Sequence, residues 1–131
     1  MNVNRRDLVV GGAAVVAIGS GASAVARERI SMHGLIGKMI AKPGQRDALA
    51  AVLLNGVAGM PGCLSYVVAN DPTEHDVLWI TEVWESREAH TASLALPSVR
   101  DAIAKGRPMI AGMTTVGETV PIGGHGLKAS T

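Results

Sequence analysis

Two side chains near the middle of the sequence, the carboxylate of Glu82 and the imidazole of His90, suit acid–base chemistry on a bound ligand, and the indole of Trp84 between them suits contact with a flat ligand. Histidine titrates close to neutral pH, so it can both accept and donate a proton. A carboxylate on an apolar surface needs a partner or a proton to offset its desolvation. We expect the three side chains to converge on one pocket.

A strand would place two of these side chains together. Residues 77–84 are rich in Val, Ile, Thr and Trp, which favour strands. Successive side chains of a strand point to opposite faces, so Glu82 and Trp84 share one face with Leu78 and Ile80. Glu82 is therefore expected on a covered, apolar face of the sheet.

The next segment is predicted to be a helix that brings His90 to that face. Ser86 is a favourable N-cap residue, so His90 would lie one turn inside the helix. Leu94, four residues later, is expected to be the clearest core residue of the helix. His90 should then point toward the sheet, with Ser93 beside it.

The remaining periodicity predicts three more strands and two more helical segments. In chain order we expect a strand at 30–40, a helix at 45–57, a strand at 63–70, a short helix that begins at Pro97, and a strand at 113–120. Combined with the strand and helix above, this order is that of a ferredoxin-like βαββαβ sandwich of the α+β class. Its helices cover one face of the sheet.

The other face of the predicted sheet is also apolar, because it carries Val77, Trp79 and Val83. A second copy of the chain is expected to cover it, which predicts a homodimer with two packed sheets. The alternative is a monomer in which the C-terminal tail covers this face, although residues 121–127 provide little length for that purpose.

Two further side chains could line the pocket. Tyr66, Trp79 and Trp84 are the only aromatic residues and fall in two adjacent predicted strands, which indicates a site for a flat ligand. The alternative is that a small core needs a few large side chains. His33 could reach the same cavity as His90, or it could be a hydrogen-bonded histidine at a strand edge.

The amino-acid composition limits the kinds of molecule that this chain is expected to bind. The chain has 131 residues, 47% of them hydrophobic, with 12 basic and 11 acidic residues, which suits a single globular domain. This balance of charge argues against a nucleic-acid or anionic-membrane partner. Cys63 is the only cysteine, so it can form neither an internal disulfide nor a Cys-based cluster, and no metal site is expected.

The first residues are predicted to be an export signal. Arg5 and Arg6 precede an apolar run, and an Ala-x-Ala site ends at Ala26. The pattern resembles a twin-arginine signal and predicts a periplasmic or secreted protein without stable membrane association after cleavage. An uncleaved anchor is the alternative, since residues 8–26 approach a spanning length. The predicted organisation is a signal at 1–26, a folded domain at 27–121 and a Gly-rich tail at 122–131.

Several short motifs occur in the order and spacing of a known family. They are Lys42-Pro43-Gly44, Pro61-Gly62-Cys63-Leu64-x-Tyr66 and Glu82-x-Trp84-x-Ser86-x-x-Ala89-His90-x-x-Ser93-Leu94. Between residues 30 and 120 the chain resembles the antibiotic biosynthesis monooxygenase domain, in particular the quinol monooxygenases. The resemblance implies a dimeric α/β barrel with one pocket per subunit and an enzyme without metal, flavin or haem. One position departs from some polyketide-oxidising relatives, which have Asn where this chain has Ile80.

This resemblance implies roles for the pocket residues. The substrate would be a small electron-rich aromatic, such as a hydroquinone or an anthrone, and its partner would be dioxygen. His90 would take a phenolic proton and later return one to a peroxide, while Glu82 would orient His90 or bind a substrate hydroxyl. Trp84 and Tyr66 would stack on the ring and exclude water. His33 and Ser93 would be further substrate contacts.

Three other interpretations remain open. Glu82 could pair with a buried Arg or Lys and His90 could cap that pair, in a stable domain without chemistry. Haem-degrading relatives ligate iron through a histidine, so His90 or His125 could bind haem. The protein could also be a non-catalytic carrier or sensor of small aromatic molecules, which predicts quinol binding without oxygen uptake.

Overall fold

The computed structural model describes residues 31–127. The export signal predicted for residues 1–26 lies outside the described residues, as does the end of the tail. The elements are β1 (His33–Ala41), α1 (Arg46–Gly56), β2 (Cys63–Asn70), β3 (Val77–Trp84), α2 (Arg87–Ser93), α3 (Pro97–Gly106) and β4 (Ile110–Thr119), with a 3₁₀ turn at Arg107–Met109 before β4.

The four strands form one antiparallel sheet in the order β2-β3-β1-β4. This order, with helices after β1 and β3, confirms the predicted ferredoxin-like α+β fold. The second helical connection is broken as expected, because Pro97 occupies the first turn of α3, where its missing N–H costs nothing. β4 begins at Ile110, earlier than predicted, because the 3₁₀ turn leads directly into the strand.

The strand register places the candidate site residues in rows across the sheet. Leu35 of β1 lies opposite Glu82 of β3, and Tyr66 of β2 lies on the other side of Glu82. His33 lies opposite Trp84. All five side chains therefore belong to the face of the sheet that the helices cover.

Apolar side chains of the sheet and of α1 pack together at the end of this face that lies away from Trp84. Ala41, Leu78 and Ile80 of the sheet are buried against Leu49 of α1. Their contacts anchor the strands at the end away from Trp84. No helix among the described residues is long and apolar enough to cross a membrane.

Candidate active site

Glu82 and Trp84 form the centre of the site. They lie two residues apart on β3, so both point to the helix-covered face. Trp84 is 1% exposed, and its Nε1–H donates a hydrogen bond to Glu82 Oε1 at 2.9 Å. The indole therefore provides the polar partner that a largely buried carboxylate needs. Among residues 31–127 no Arg or Lys forms an ion pair with Glu82, so within the described residues this carboxylate does not balance a buried cation.

His90 approaches the same carboxylate from α2. Its Nε2 lies 3.8 Å from Glu82 Oε1, and its ring stands edge-on to Trp84 with centroids 5.3 Å apart. The distance of 3.8 Å is longer than a hydrogen bond. A hydroxyl group of a ligand placed beside the two atoms could therefore hydrogen-bond to both.

The N-terminus of α2 determines where His90 lies. Ser86 Oγ accepts a hydrogen bond from the Ala89 N–H at 3.0 Å, which confirms the predicted cap. Gly62 has a φ of 79°, and a Cβ there would lie 2.6 Å from the Cβ of Ala89. A glycine at this position therefore lets the start of β2 approach α2 closely. The Glu85 N–H also donates to the Gly62 carbonyl at 2.8 Å.

The end of α2 differs from the prediction. Leu94 is 49% exposed, so its assignment as the clearest core residue of the helix is wrong. The helix ends at Ser93 with Leu94 as its C-cap, and Leu94 borders an open cavity rather than the packed core. Ser93 is the buried residue, and its Oγ donates to the His90 carbonyl at 2.6 Å.

These residues form the polar end of a cavity of about 520 Å³ between the sheet and the helices. The volume lies in the range of small-molecule sites. The rest of the wall is mainly aliphatic and comes largely from α1, α3 and the start of β4. The polar side chains that line the cavity are Tyr66, Glu82, Trp84, His90, Ser93 and Arg107.

Tyr66 and Cys63 both stay protonated near the carboxylate. Burial, reinforced by the negative charge of Glu82, raises the pKa of the Tyr66 phenol well above its ordinary value. Burial also raises the pKa of the Cys63 thiol, with Glu82 contributing in the same direction. Tyr66 is thus available as a neutral hydrogen-bond donor, and Cys63 is poorly suited to act as a nucleophile.

His33 lies behind His90 and does not belong to the cavity wall. It is 6% exposed, and its ring centroid is 5.7 Å from that of His90. Its Nε2 faces Glu118 Oε1 at 3.9 Å, and Arg87 pairs with the same oxygen at 3.1 Å. The sequence analysis did not single out Glu118. The pairing of β4 with the start of β1 was the signal that could have found it.

Two further side chains lie apart from the cavity. His125 is exposed in the tail and is not among the residues that line the cavity. Trp79 lies on the other face of the sheet, where its Nε1–H donates to Asp71 Oδ2 at 2.8 Å. Within residues 31–127 no group of three or more His, Cys, Asp or Glu side chains could hold a metal ion.

Comparison with known families agrees with this arrangement. The family model for antibiotic biosynthesis monooxygenases matches residues 32–105, more than half of the chain. This chain belongs to the antibiotic biosynthesis monooxygenase family. The resemblance inferred from the short motifs is therefore confirmed. The matched residues include Tyr66, Glu82, Trp84, His90 and Ser93.

Solved structures of antibiotic biosynthesis monooxygenase relatives share the fold. A candidate antibiotic biosynthesis monooxygenase from Chloroflexus aurantiacus is 64% identical, covers 75% of this chain and 100% of its own, and superposes with a TM-score of 0.70. A candidate member from Caulobacter crescentus is 22% identical, with coverages of 72% and 93% and a TM-score of 0.65. A protein from Pseudomonas aeruginosa is 18% identical, with coverages of 72% and 98% and a TM-score of 0.64. The last two support the fold alone. No curated protein matches this chain.

Proposed function

We propose that this protein is a cofactor-independent monooxygenase that oxidises a small electron-rich aromatic, such as a hydroquinone or an anthrone, with dioxygen. The observation that carries the proposal is the arrangement of Glu82, Trp84 and His90 on the wall of a mainly aliphatic cavity. Glu82 is oriented by the indole, and His90 Nε2 lies 3.8 Å from the same carboxylate oxygen.

The chemistry explains why proton transfer is the central task. Dioxygen accepts electrons slowly from closed-shell molecules, so the substrate must be made more electron-rich before it reacts. Removal of a phenolic proton does this. Histidine has a suitable unperturbed pKa for that step. We assign His90 as the base and Glu82 as the group that orients His90 or accepts a hydrogen bond from the substrate hydroxyl.

The atoms and electrons of the reaction balance without a further reductant. For a hydroquinone, one oxygen atom of dioxygen enters the ring and the other leaves as water. The substrate supplies all the electrons and becomes a hydroxyquinone. The phenolic proton held on His90 is returned to the peroxide when the bond between the oxygen atoms breaks.

The aliphatic wall and Tyr66 support this sequence of steps. An apolar cavity accommodates both the aromatic ring and dioxygen, and it keeps water away from a reactive intermediate. Tyr66 lies in the same row of the sheet as Glu82. Because its phenol keeps its proton, Tyr66 can donate a hydrogen bond to a substrate oxygen without competing with His90 as a base.

The test is oxygen consumption by the purified protein with a panel of hydroquinones, corrected for spontaneous oxidation. His90→Ala should reduce the rate by roughly 10²–10⁴-fold, the range for a general acid–base group. Raising the pH should partly restore that rate, because a hydroquinone ionises in solution and then arrives as its anion. His75→Ala is the matched control, because His75 is exposed in the β2–β3 connection.

Each other result selects a different function. Superimposed pH profiles for wild type and His90→Ala would remove His90 from proton transfer and make His33 the next base to test. Tight binding of hydroquinones without oxygen uptake would favour a carrier or sensor. Appearance of haem absorbance on reconstitution, lost in His90→Ala, would favour a haem protein.

A further inference from the structure

A second, smaller cavity opens beside the first one. Its volume is about 280 Å³, and it runs along β1 and β4. Both cavities are bordered by Met39, Tyr66, Glu82, His90 and Met113. The candidate acid–base pair therefore lies where the two cavities meet, and not at the far end of a single chamber.

β1 has a glycine, Gly37, on its helix-covered face, and this glycine borders the second cavity. Gly37 follows Leu35 and precedes Met39 in the alternation of that face, and the pairing of β1 with β4 shifts between Ile36 and Gly37. A Cβ on Gly37 would meet only the carbonyl oxygens of Thr114 and Ile80, at 3.8 and 4.0 Å.

The backbone does not require this glycine. Gly37 is not among the residues with positive φ, and the contacts of an added Cβ are ordinary van der Waals distances. Any side chain would fit the strand conformation there. A side chain at position 37 would fill the open space beside Glu82 and His90. The glycine therefore determines which ligands fit this space.

The two cavities differ in chemistry. The larger one is mainly aliphatic apart from Arg107 and the polar side chains around Glu82. The smaller one is bordered by Thr114 and Thr115, and Thr115 lies directly opposite Gly37 in the register. Hydroxyl and main-chain groups at this position can hydrogen-bond to a polar substituent of a ligand. Lys38 also borders it, but its Nζ lies 5.7 Å from the Trp79 ring centroid on the other face, so a carboxylate is not the favoured substituent.

We infer that the substrate is a ring-substituted hydroquinone with two unlike parts, an apolar part in the larger cavity and a short hydroxyl-bearing substituent above Gly37. The inference rests on the proposed function, because it places the reacting hydroxyl between Glu82 and His90. It adds a substrate class and a residue that selects it.

The test is ligand binding under oxygen-free conditions, which does not depend on turnover. Hydroquinone, ethylhydroquinone and hydroxyethylhydroquinone are titrated into wild type and Gly37→Val by calorimetry. Wild type should bind hydroxyethylhydroquinone roughly 3–10-fold more tightly than ethylhydroquinone, which corresponds to one net hydrogen bond. Gly37→Val should abolish that preference and weaken both substituted ligands by at least about tenfold, as expected when a well-defined space is filled. Hydroquinone itself should change by less than about threefold.

Gly117→Val is the matched control, since it adds the same side chain to the sheet where nothing lies within 4 Å of the new Cβ. It should leave all three affinities unchanged. Gly37→Ala, with a smaller side chain, replaces Gly37→Val if the latter does not fold.

Two results would overturn the inference and are distinguishable. Equal weakening of all three ligands by Gly37→Val, or no preference for the hydroxyethyl ligand in wild type, contradicts the two-part substrate while leaving the proposed function intact. Failure of wild type to bind any of the three hydroquinones contradicts the proposed function as well.

Discussion

Trp84 has two roles in this structure. Its ring forms part of the wall of the larger cavity, and its N–H donates a hydrogen bond that orients the Glu82 carboxylate. A buried carboxylate without a donor would lose the hydrogen bond that offsets its desolvation. The same indole therefore links stability with the geometry of the acid–base pair.

A double-mutant cycle can measure the coupling between Trp84 and Glu82 in the free energy of unfolding. Trp84→Phe removes the N–H and keeps a ring, Glu82→Met removes the acceptor and keeps the length of the side chain, and the double variant removes both. We expect a coupling free energy of unfolding of about 1–3 kcal/mol, because each single change leaves a buried polar group without its partner. Urea denaturation measures it.

The indole–carboxylate pair of Trp79 and Asp71 provides the comparison. Its donor–acceptor distance is 2.8 Å, but Asp71 lies in a surface turn where water can replace the indole. Trp79→Phe with Asp71→Ala, which removes the acceptor, should give a smaller coupling. Equal coupling in the two cycles would mean that burial adds nothing to the Trp84–Glu82 contact.

For single residues, the sequence predicts the face on which a side chain lies better than the atoms that it contacts. Alternation along β3 was sufficient to place Glu82 and Trp84 together, whereas the helical spacing that turned His90 toward them relied on Leu94, which is not a core residue. Neither strand alternation nor helical spacing predicts which side-chain atoms form a contact. The Trp84–Glu82 hydrogen bond depends on side-chain rotamers, and the contact of His33 with Glu118 depends on the register of β1 with β4. Both are properties of the folded sheet.

The elements that position the site residues are short, and contacts at their ends keep them in place. α2 has seven residues, too few to be stable alone in water, so the Ser86 cap and the contact with Gly62 position it. The wrong assignment of Leu94 has the same origin. A periodic pattern assumes that the helix continues, whereas α2 ends at Ser93.

The β2–β3 connection makes a pH-dependent prediction at the level of elements. Hydrogen bonds from the Trp79 indole and from the backbone N–H groups of Glu74 and Thr73 hold the pKa of Asp71 well below its ordinary value of 3.8. A lowered pKa in the folded state means that the ionised carboxylate stabilises the fold at neutral pH. This stabilisation is lost as the pH falls below the ordinary value.

Asp71→Asn should therefore melt at a lower temperature than wild type near neutral pH. Between about pH 5 and pH 2 its melting temperature should fall less steeply than that of wild type, since the variant has no such carboxylate to protonate. Asp101→Asn, which breaks the exposed pair with Lys105, controls for the loss of one acidic residue. Parallel curves for wild type and Asp71→Asn would show that the turn does not depend on the charge.

At the scale of the whole molecule, the fold was the most predictable feature. Each strand and helix has an apolar period that matches its type, and their order allows few topologies. The second cavity was not predictable in the same way. Gly37 interrupts a strand pattern, which indicates a bulge or close approach, but only the folded sheet shows that the space above it adjoins Glu82 and His90.

The outer face of the sheet leads to a proposal about assembly. In the single chain it leaves Ile40 of β1 and Val67 of β2 41% and 50% exposed, on the two strands that flank β3, whose Trp79 and Val83 share this face. Contiguous apolar surface of this kind marks an interface. We propose that a second copy of the chain covers this face, as the resemblance to the family implied, because two such faces are self-complementary about a two-fold axis.

The dimer can be tested with two substitutions of matched exposure. Val67 on the outer face of β2 is 50% exposed, and Leu54 on α1 is 55% exposed. Val67→Lys should place a charge in the interface and weaken dimerisation by at least about tenfold, since burying an unpaired charge is costly. Leu54→Lys should leave the dimer unchanged, because α1 lies on the opposite side of the sheet. Analytical ultracentrifugation over a range of protein concentrations measures both. A wild-type protein that sediments as a monomer at all concentrations, or a dimer that Leu54→Lys disrupts and Val67→Lys does not, would contradict this assignment and leave the outer face to another partner.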